Sequence, residues 1–315
     1  MKFTLFTVFA LAASAIAAPV VKRATTSDAA PYGYATLNGG TTGGSGGRTV
    51  TVNTLAELKT AASASGASII IIGSSITGAE SVKVASNKTI VGKSSSITLN
   101  GVGLIVKSAS NVIIRNLKIQ KVLASSGDAI AINKGTNVWI DHVDVSSDRD
   151  HDKDYYDGLL DFTHAADYVT VSNSYIHDHW KASLIGHSDS NSAEDTGHLR
   201  VTFANNYFQN LNSRGPSYRF GTGHIYNNYY DTVSDGINTR DGAQLLVENN
   251  VFSGSKKPLY STDKGYAVAT GNDFGGESNT ALAGTLTKAP YTYTKIDAAK
   301  VKAAVVGTAG ATLSF

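Results

Sequence analysis

Short strands of alternating apolar and polar residues recur along most of this chain, each followed by a polar bend and a second apolar piece. Such alternation is the pattern of a β-strand with one buried face. Seven stretches share it: NVIIRNLKI (111–119), NVWIDHVDV (137–145), YVTVSNSYI (168–176), RVTFANNYF (200–208), GHIYNNYY (223–230), LLVENNVF (245–252) and YAVATGNDF (266–274). The pattern predicts an all-β protein built from repeated units.

The polar bends of these units give the repeat length. We align the bends at Asn116, His142, Asn173, Asn205, Asn227, Asn249 and Asn272, with spacings of 26, 31, 32, 22, 22 and 23 residues. A nearly fixed period with longer units in the middle is typical of a solenoid. Units rich in Val, Ile, Tyr and Asn, without helical periodicity, favour a parallel β-helix.

Asparagine suits the bends of a parallel β-helix because it tolerates left-handed backbone angles. Its side-chain amide can also bond to the next amide along a stack, which predicts an asparagine ladder. We expect His142 to form hydrogen bonds at its bend rather than to catalyse. The alternative fold is an antiparallel sandwich of similar hairpins, which the alignment of seven units disfavours.

Two short helices are predicted to cover the ends or flanks of the solenoid. Thr54 and Glu57 form a capping-box pattern at the start of TLAELKTAASAS (54–65). A second helix is predicted to start at Asp297 and to stop at Gly307. The run GGTTGGSGG (39–47) lacks the Gly-Lys-Ser/Thr of a phosphate loop, so we expect an irregular lead-in.

The N-terminus predicts secretion. One lysine, an apolar run and small residues before Pro19 indicate a signal peptide over residues 1–18, and Lys22-Arg23 indicates a propeptide over 19–23. The mature chain, 24–315, is then predicted to be a single β-helix domain. The first 23 residues contain three basic residues and no acid, so removing them changes the formal charge from +2 to −1.

Composition restricts the partners of the mature chain. The charge near zero and the absence of a long basic run argue against nucleic acid, and no segment of the mature chain predicts a membrane span. We expect a monomer. There are no cysteines, so burial and hydrogen bonds must hold the secreted fold together. The sequon at Asn87 predicts a glycosylation site if that residue is exposed.

Three aspartates in the long middle units predict a metal site, and the alternative is that Asp157 and Asp161 are solvated carboxylates at a strand edge. Asp128 follows a glycine in SSGDAIAI, and Asp157 and Asp161 come one unit later in YYDGLLDF. Adjacent coils lie about 4.8 Å apart, so Asp128 is expected to lie beside one of the later aspartates. Asp157 and Asp161 can share an ion only if the chain turns between them, which Gly158 permits. Carboxylates without cysteine favour calcium over zinc or copper.

The preceding acidic run DHDKDYYDGLLD (150–161) resembles the start of an EF-hand. That interpretation fails because the sixth position is Tyr155, the twelfth is Asp161, and no helices flank the run. The stretch from Asp148 to Asp154 is more often a solvated loop.

Two basic features accompany the acids. Lys181 lies in HDHWKASLIG, and SRGPSYRF (213–220) contains Arg214 and Arg219 around Pro216. Two arginines so close can clamp carboxylates, because the guanidinium fork matches that geometry. Taken alone, the lysine is more often a surface charge and the arginine pair a basic turn.

Together these residues resemble the pectate lyases of polysaccharide lyase family one, specifically secreted fungal members. NVWIDH (137–142) resembles the family's WIDH signature, and RGPSYR (214–219) its Arg-x-Pro-x-x-Arg signature. The order Asp128, Asp157, Asp161, Lys181 and Arg214 also matches. Some relatives have glutamate in place of Asp157, and Ser126 replaces a further acid that many relatives carry.

The resemblance implies a right-handed parallel β-helix and a calcium-dependent elimination on polygalacturonate. It implies calcium ligation by Asp128, Asp157 and Asp161, Arg214 as the base, and substrate binding by Lys181, Arg219 and Arg240. Calcium and Lys181 would stabilise the charge that develops when the C5 proton leaves. Arginine is normally protonated, and nearby positive charge favours its neutral form, so an alkaline pH optimum is expected.

Three other functions remain open from the sequence. A pectin lyase would share the fold but act on methyl-esterified substrate without calcium. A galacturonan hydrolase would use two carboxylates as acid and base and would leave Arg214 and Lys181 without roles. A non-catalytic cell-wall-binding solenoid would tolerate Arg214→Lys.

Overall fold

The strand repeats of the sequence form stacked coils in the computed structural model, which describes residues 24–315. The predicted signal peptide and propeptide lie outside these residues. Within them, 23 strands are joined into one continuous array. In chain order the strands are β1 (Arg48–Val52), β2 (Ser68–Ile72), β3 (Ile76–Val84), β4 (Lys88–Gly92), β5 (Thr98–Lys107), β6 (Ser110–Gln120), β7 (Ile130–Asn133), β8 (Thr136–Ser146), β9 (Leu160–Thr163), β10 (Asp167–Ser172), β11 (Tyr175–Lys181), β12 (Ser183–Ile185), β13 (Arg200–Ala204), β14 (Tyr207–Ser213), β15 (Ser217–Arg219), β16 (Thr222–Tyr226), β17 (Tyr229–Val233), β18 (Asp235–Arg240), β19 (Gln244–Glu248), β20 (Val251–Ser253), β21 (Lys257–Ser261), β22 (Tyr266–Thr270) and β23 (Leu282–Ala283).

These strands form three faces. The first face contains β1, β2, β4, β10, β13, β16, β19, β22 and β23, with the first halves of β6 and β8. The second contains β11, β14, β17 and β20, with the ends of β6 and β8. The third contains β7, β9, β12, β15, β18 and β21, with the ends of β3 and β5. The named strands pair in parallel, so the predicted parallel β-solenoid is confirmed and the antiparallel sandwich was wrong.

The core consists of side chains stacked in columns from coil to coil. One column of fully buried valines contains, in register, Val112, Val138, Val169 and Val201. An aromatic column stacks Phe208 on Tyr230 at 4.6 Å and Tyr230 on Phe252 at 4.2 Å between ring centroids. Each buried side chain of this size contributes about 1.5–3 kcal/mol, and these columns replace the disulfides that the chain lacks.

The predicted bends have left-handed backbone angles at all but the last position. The φ angles of Asn116, His142, Asn173, Asn205, Asn227 and Asn249 lie between 48° and 57°. Asn272 was aligned wrongly with this set. It pairs with Asn250, 22 residues earlier, and Gly271 occupies the left-handed position with φ 66°.

An asparagine ladder is present, but the residue after each bend forms it. The Nδ2 of Asn206 donates to Oδ1 of Asn228 at 2.9 Å, and Asn228 donates in the same way to Asn250. Asn250 donates to Asn272 at 3.0 Å, and each acceptor oxygen also receives a backbone N–H. The ladder satisfies buried polar groups across four coils.

Both predicted helices are present. Helix α1 (Leu55–Ser63) has the full capping box of Thr54 and Glu57 and packs against the first strands. Helix α2 (Ser192–Asp195) is a single turn in a loop. Helix α3 (Ala298–Val305) follows Asp297, which makes no side-chain cap, and buries Val301 and Val305 against Tyr207 and Tyr229. The described residues also contain three 3-10 turns, at Tyr34–Thr36, Ala124–Ser126 and Asp189–Asn191.

Candidate active site

The long middle repeats form two loops beside the third face. One runs from the end of β8 at Ser146 to the start of β9 at Leu160. The other runs from the end of β12 at Ile185 to the start of β13 at Arg200. A rigid solenoid with insertions on one side is a common arrangement for a functional site.

The corner between the second and third faces aligns residues from successive coils. Backbone N–H groups of Ala129, Leu159 and Ala182 donate to the carbonyls of Gly158, Ala182 and Ser213, at 3.0–3.1 Å. Each coil crosses this corner at the same place. The corner therefore brings together the side chains that the sequence singled out: Asp128, Asp157, Lys181 and Arg214.

Gly158 provides the space in which two carboxylates meet. Its N–H donates to Asp128 Oδ1 at 2.9 Å, and the Leu184 N–H donates to Asp161 Oδ1 at 3.0 Å. A Cβ atom at Gly158 would lie 2.5 Å from Asp161 Oδ1 and 2.9 Å from Asp128 Oδ1. The two carboxylate oxygens thus converge on a point that only glycine leaves open.

Burial makes these two carboxyls unusual acids. Burial raises the pKa of Asp161 well above its ordinary value, and the neighbouring Asp128 carboxylate raises it further. Burial and the charge of Asp157 raise the pKa of Asp128 to about 6. The Arg214 guanidinium opposes both shifts. The carboxylate oxygens of Asp128 and Asp161 are desolvated and repel one another when both are ionised. A hard divalent cation between them would stabilise their charged forms, so the pair fits such an ion.

Asp157 lies farther out and faces a cation of the protein. Its Oδ1 is 3.7 Å from Lys181 Nζ, and Asp154 Oδ1 is 3.1 Å from the same nitrogen. The Lys181 side chain is only 15% exposed, so its charge is directed into the corner. The sequence did not single out Asp154, because its acidic run was interpreted as a solvated loop.

Arg214 lies near enough to Asp128 and Asp161 for its charge to lower the pKa of both carboxyls, and its backbone is left-handed, with φ 63°. Its carbonyl accepts from the Ser183 N–H at 2.9 Å, which fixes the backbone at the corner. Among residues 24–315, its half-buried side chain makes no hydrogen bond or ion pair within the protein. A non-glycine residue in this conformation costs about 1 kcal/mol, a cost that other parts of the fold must offset.

Arg219 and Arg240 are adjacent on β15 and β18, but protein carboxylates already pair with them. Arg219 Nε lies 2.5 Å from Asp189 Oδ1 and 3.3 Å from Asp241 Oδ2. Arg240 Nη2 lies 3.2 Å from Asp189 and 3.0 Å from Asp263. One oxygen from each of Asp189, Asp241 and Asp263 lies within 4.8 Å of the others. In the described part of the chain, the oxygens of Asp128, Asp157 and Asp161 do not all come this close to one another.

The WIDH stretch lies away from this corner. Asp141 is fully buried and accepts from Arg115 Nε at 2.7 Å and Asn173 Nδ2 at 2.9 Å, and the His142 ring is 2.8 Å away. Trp139 is buried beside this network. A cavity of about 630 Å³ adjoins it, but its charged groups pair with one another. The stretch is therefore structural.

Trp180 lies at the corner instead. Its indole N–H donates to the His151 carbonyl at 2.8 Å, which ties the first loop down. Together with Lys153 and Lys181 it lines a cavity of about 340 Å³ beside the carboxylates. The corner therefore continues into a groove whose lining also includes Asp152, Asn212 and Ser213.

Comparisons with known proteins agree on one family. A family model described as pectate lyase matches residues 8–314. The chain is 64% identical to a probable pectate lyase A of Aspergillus flavus, covering 99% of both chains. It is 63% identical to one of Aspergillus niger, covering 97% of this chain and 94% of the relative.

Solved structures show the same likeness. A pectate lyase from Bacillus sp. N165 in complex with trigalacturonate is 32% identical, with a TM-score of 0.82, over 89% of this chain and 98% of that one. A pectate lyase variant from Xanthomonas campestris is 30% identical, with a TM-score of 0.75, over 90% and 98%. The chain belongs to the pectate lyase family and is a polysaccharide lyase.

Proposed function

We propose that this protein is a calcium-dependent pectate lyase that cleaves (1→4)-α-D-galacturonan by β-elimination and releases 4,5-unsaturated oligogalacturonides. The observation that carries the proposal is the convergence of Asp128, Asp161, Lys181 and Arg214 at one corner. The relative solved with trigalacturonate supports the substrate class.

Calcium would be held by Asp128, Asp157 and Asp161, and bound there it would act as a Lewis acid toward the C6 carboxylate of the sugar. Gly158 and Leu184 hold two of these carboxylates in position through their N–H groups. Asp157 lies farther out, with its Oδ1 3.7 Å from Lys181 Nζ, and would complete the ligand set from that side.

Lys181 and Arg214 are the groups that would act on the substrate. Lys181 adds positive charge beside the sugar carboxylate, where charge builds up as the C5 proton leaves. Neutral Arg214 accepts that proton, the C5–H electrons form the C4=C5 double bond, and the C4–O bond breaks. The departing oxygen takes a proton from water. Since only the neutral guanidine accepts a proton, the reaction is expected to be faster at alkaline pH.

The test is elimination on polygalacturonate, followed by the ultraviolet absorbance of the unsaturated product, with and without a chelator. We expect activity that disappears in chelator and returns with added calcium. Full activity in chelator would point to a pectin lyase. New reducing ends without unsaturated product would point to a hydrolase.

The cellular setting of the proposal is extracellular. Secretion and processing near Arg23 would release a chain that starts at Ala24 and that works as a monomer on pectate in plant cell walls. In residues 24–315 no helix is long and apolar enough to cross a membrane.

Asn87 is proposed as a glycosylation site. Its side chain is exposed at a left-handed turn with φ 59°, whereas Thr89 of the sequon is buried. Treating the secreted protein with an endoglycosidase should lower its mass, and a peptide carrying unmodified Asn87 would contradict the proposal.

A further inference from the structure

His179 is an almost completely buried polar residue that the proposed reaction does not use. It lies on β11, two residues before Lys181, and is only 1% exposed. Its Nδ1 lies 2.5 Å from Ser147 Oγ, and its Nε2 lies 2.5 Å from the carbonyl oxygen of Asp157. A carbonyl only accepts hydrogen bonds, so Nε2 carries a proton and donates it to the Asp157 carbonyl. Both nitrogens of the buried ring therefore have partners.

These two hydrogen bonds close the neck of the loop between β8 and β9. Ser147 directly follows the end of β8, and Asp157 comes ten residues later, three residues before β9 begins. One ring therefore connects both ends of the loop to β11, a strand of the rigid solenoid. The Trp180 indole ties the loop separately, at the His151 carbonyl. The neck is thus the part of the loop that depends on the histidine ring.

The peptide group between Asp157 and Gly158 links this ring to the carboxylates. Its carbonyl accepts from His179, and its N–H donates to Asp128 Oδ1 at 2.9 Å. A trans peptide group is planar, so its carbonyl and its N–H point in opposite directions and cannot turn independently. A ring that fixes the carbonyl therefore fixes the direction of the N–H that holds Asp128. Hydrogen bonds in such a chain also strengthen one another.

Asp157 depends on the same peptide group for its position. In the described residues its carboxylate accepts no hydrogen bond, and its partner Lys181 lies 3.7 Å away. Asp161 differs, because the Leu184 N–H holds its carboxylate directly. The backbone therefore constrains Asp157 more than its side-chain contacts do, and His179 holds that backbone through the carbonyl.

We propose that His179 is a positioning residue for the calcium site. It touches neither the ion nor the substrate, and it acts through one peptide group that places Asp128 and Asp157 before calcium binds. This inference rests on the proposed calcium-dependent function. The alternative is that His179 only fills the space beneath the loop and contributes stability.

The experiment compares two substitutions that keep different halves of the ring's function. His179→Gln places an amide N–H near the position of Nε2 and can still donate to the Asp157 carbonyl, whereas His179→Asn reaches only the position of Nδ1. Calcium is titrated calorimetrically into chelator-treated protein. The Kd should rise about 10-fold in His179→Asn, as is typical when a hydrogen-bond partner behind a metal ligand is removed. In His179→Gln it should stay within about 3-fold of the original value.

Activity separates positioning from catalysis. At saturating calcium and fixed pH, the kcat of His179→Asn on polygalacturonate should stay within about 3-fold of the original value, because Lys181 and Arg214 remain. The calcium concentration that gives half-maximal activity should rise together with the Kd. Hydrogen exchange measured without calcium should be faster over residues 147–158 in His179→Asn than in His179→Gln.

His224→Asn is the matched control, because His224 is equally buried and pairs at both ring nitrogens on the first face. It should lose a similar amount of stability in thermal unfolding and keep the original Kd for calcium. Ser147→Ala removes the other partner of the His179 ring without touching Asp157. If His179→Asn folds poorly, Ser147→Ala should still raise the Kd, by a smaller factor, and an unchanged Kd would then overturn the inference.

The outcomes distinguish this inference from the proposed reaction. Equal calcium Kd values in His179→Asn, His179→Gln and the unaltered protein would overturn the inference and leave His179 as a core residue. A Kd raised equally in both substitutions would also overturn it, because the hydrogen bond to Asp157 would then make no difference. If the unaltered protein bound no calcium and released no unsaturated product, the proposed function would fail and this inference with it. Calcium binding by the unaltered protein therefore tells the two failures apart.

Discussion

Replacing Gly158 by alanine should weaken calcium binding without removing any ligand. The new Cβ would lie 2.5 Å from Asp161 Oδ1, 2.8 Å from its Cγ and 2.9 Å from Asp128 Oδ1. To restore an ordinary contact near 3.5 Å, the Asp161 carboxyl must retreat by about 1 Å. Its hydrogen bond from the Leu184 N–H, now 3.0 Å, would stretch beyond bonding distance.

The size of the effect follows from the tolerance of calcium coordination. Calcium–oxygen distances span only about 2.3–2.6 Å, so a retreat of the Asp161 carboxyl by about 1 Å removes that ligand from the ion. A hydrogen bond or contact to a charged group contributes about 1.5–3 kcal/mol. Losing one carboxylate contact of this strength should raise the Kd for calcium roughly 10- to 100-fold. The backbone at Gly158 is not left-handed, so alanine adds no conformational strain there.

The assay is calorimetric titration of calcium into chelator-treated protein, with thermal unfolding measured alongside. Gly73→Ala is the matched control, because its Cβ would lie 2.6 Å from Asn53 Oδ1 in a different part of the solenoid. We expect a similar loss of stability in both variants and weaker calcium binding in Gly158→Ala alone. Unchanged calcium affinity in Gly158→Ala would refute the assignment of Asp128 and Asp161.

Three further predictions concern the base, the ladder and acid stability. Arg214→Lys should lower kcat about 10²-fold or more without changing the circular dichroism spectrum, and retained activity would exclude Arg214 as the base. Asn228→Ala should lower the free energy of unfolding in urea by about 3 kcal/mol or more, because it leaves several buried polar groups around Asn206 without hydrogen-bond partners. The control Asn279→Ala, at the surface, should lower it by almost nothing. Equal losses in the two variants would contradict the ladder. Burial lowers the pKa of His224 from 6.5 to about 4, so the folded state binds fewer protons than the unfolded state between these values. Stability should therefore fall by about 3 kcal/mol as the pH drops through that window, and a His224→Gln variant with the same slope would contradict this origin.

The fold could be predicted because its repeat follows local rules. Alternation of apolar residues fixes the strand faces, and asparagine marks the left-handed bends. The exception is Asn272, where Gly271 takes the left-handed bend and the alignment slipped by one residue. The Asn-Asn pairs at 205–206, 227–228 and 249–250 contained the ladder, but spacing alone did not show that the second member forms it.

The stacking of coils predicted that Asp128 lies beside a later aspartate, whereas Lys181 and Arg214 were singled out only by the resemblance of their motifs to a known family. Long-range pairing between loops was not accessible in this way. Asp189 lies 30 residues from Arg219, in an insertion with no repeat pattern, so nothing in the spacing connected them. The pairing of Lys181 with Asp154 was hidden for the same reason. Ion pairs made by loops depend on loop conformation, which periodicity does not encode.

The most direct test of the account is a crystal structure of the Arg214→Ala variant with calcium and an oligogalacturonate. The account predicts an ion bound by Asp128, Asp157 and Asp161, a sugar carboxylate on that ion beside Lys181, and the C5 hydrogen facing the space that Arg214 vacates. Calcium at Asp189, Asp241 and Asp263 instead, with the sugar bound away from the corner, would contradict it.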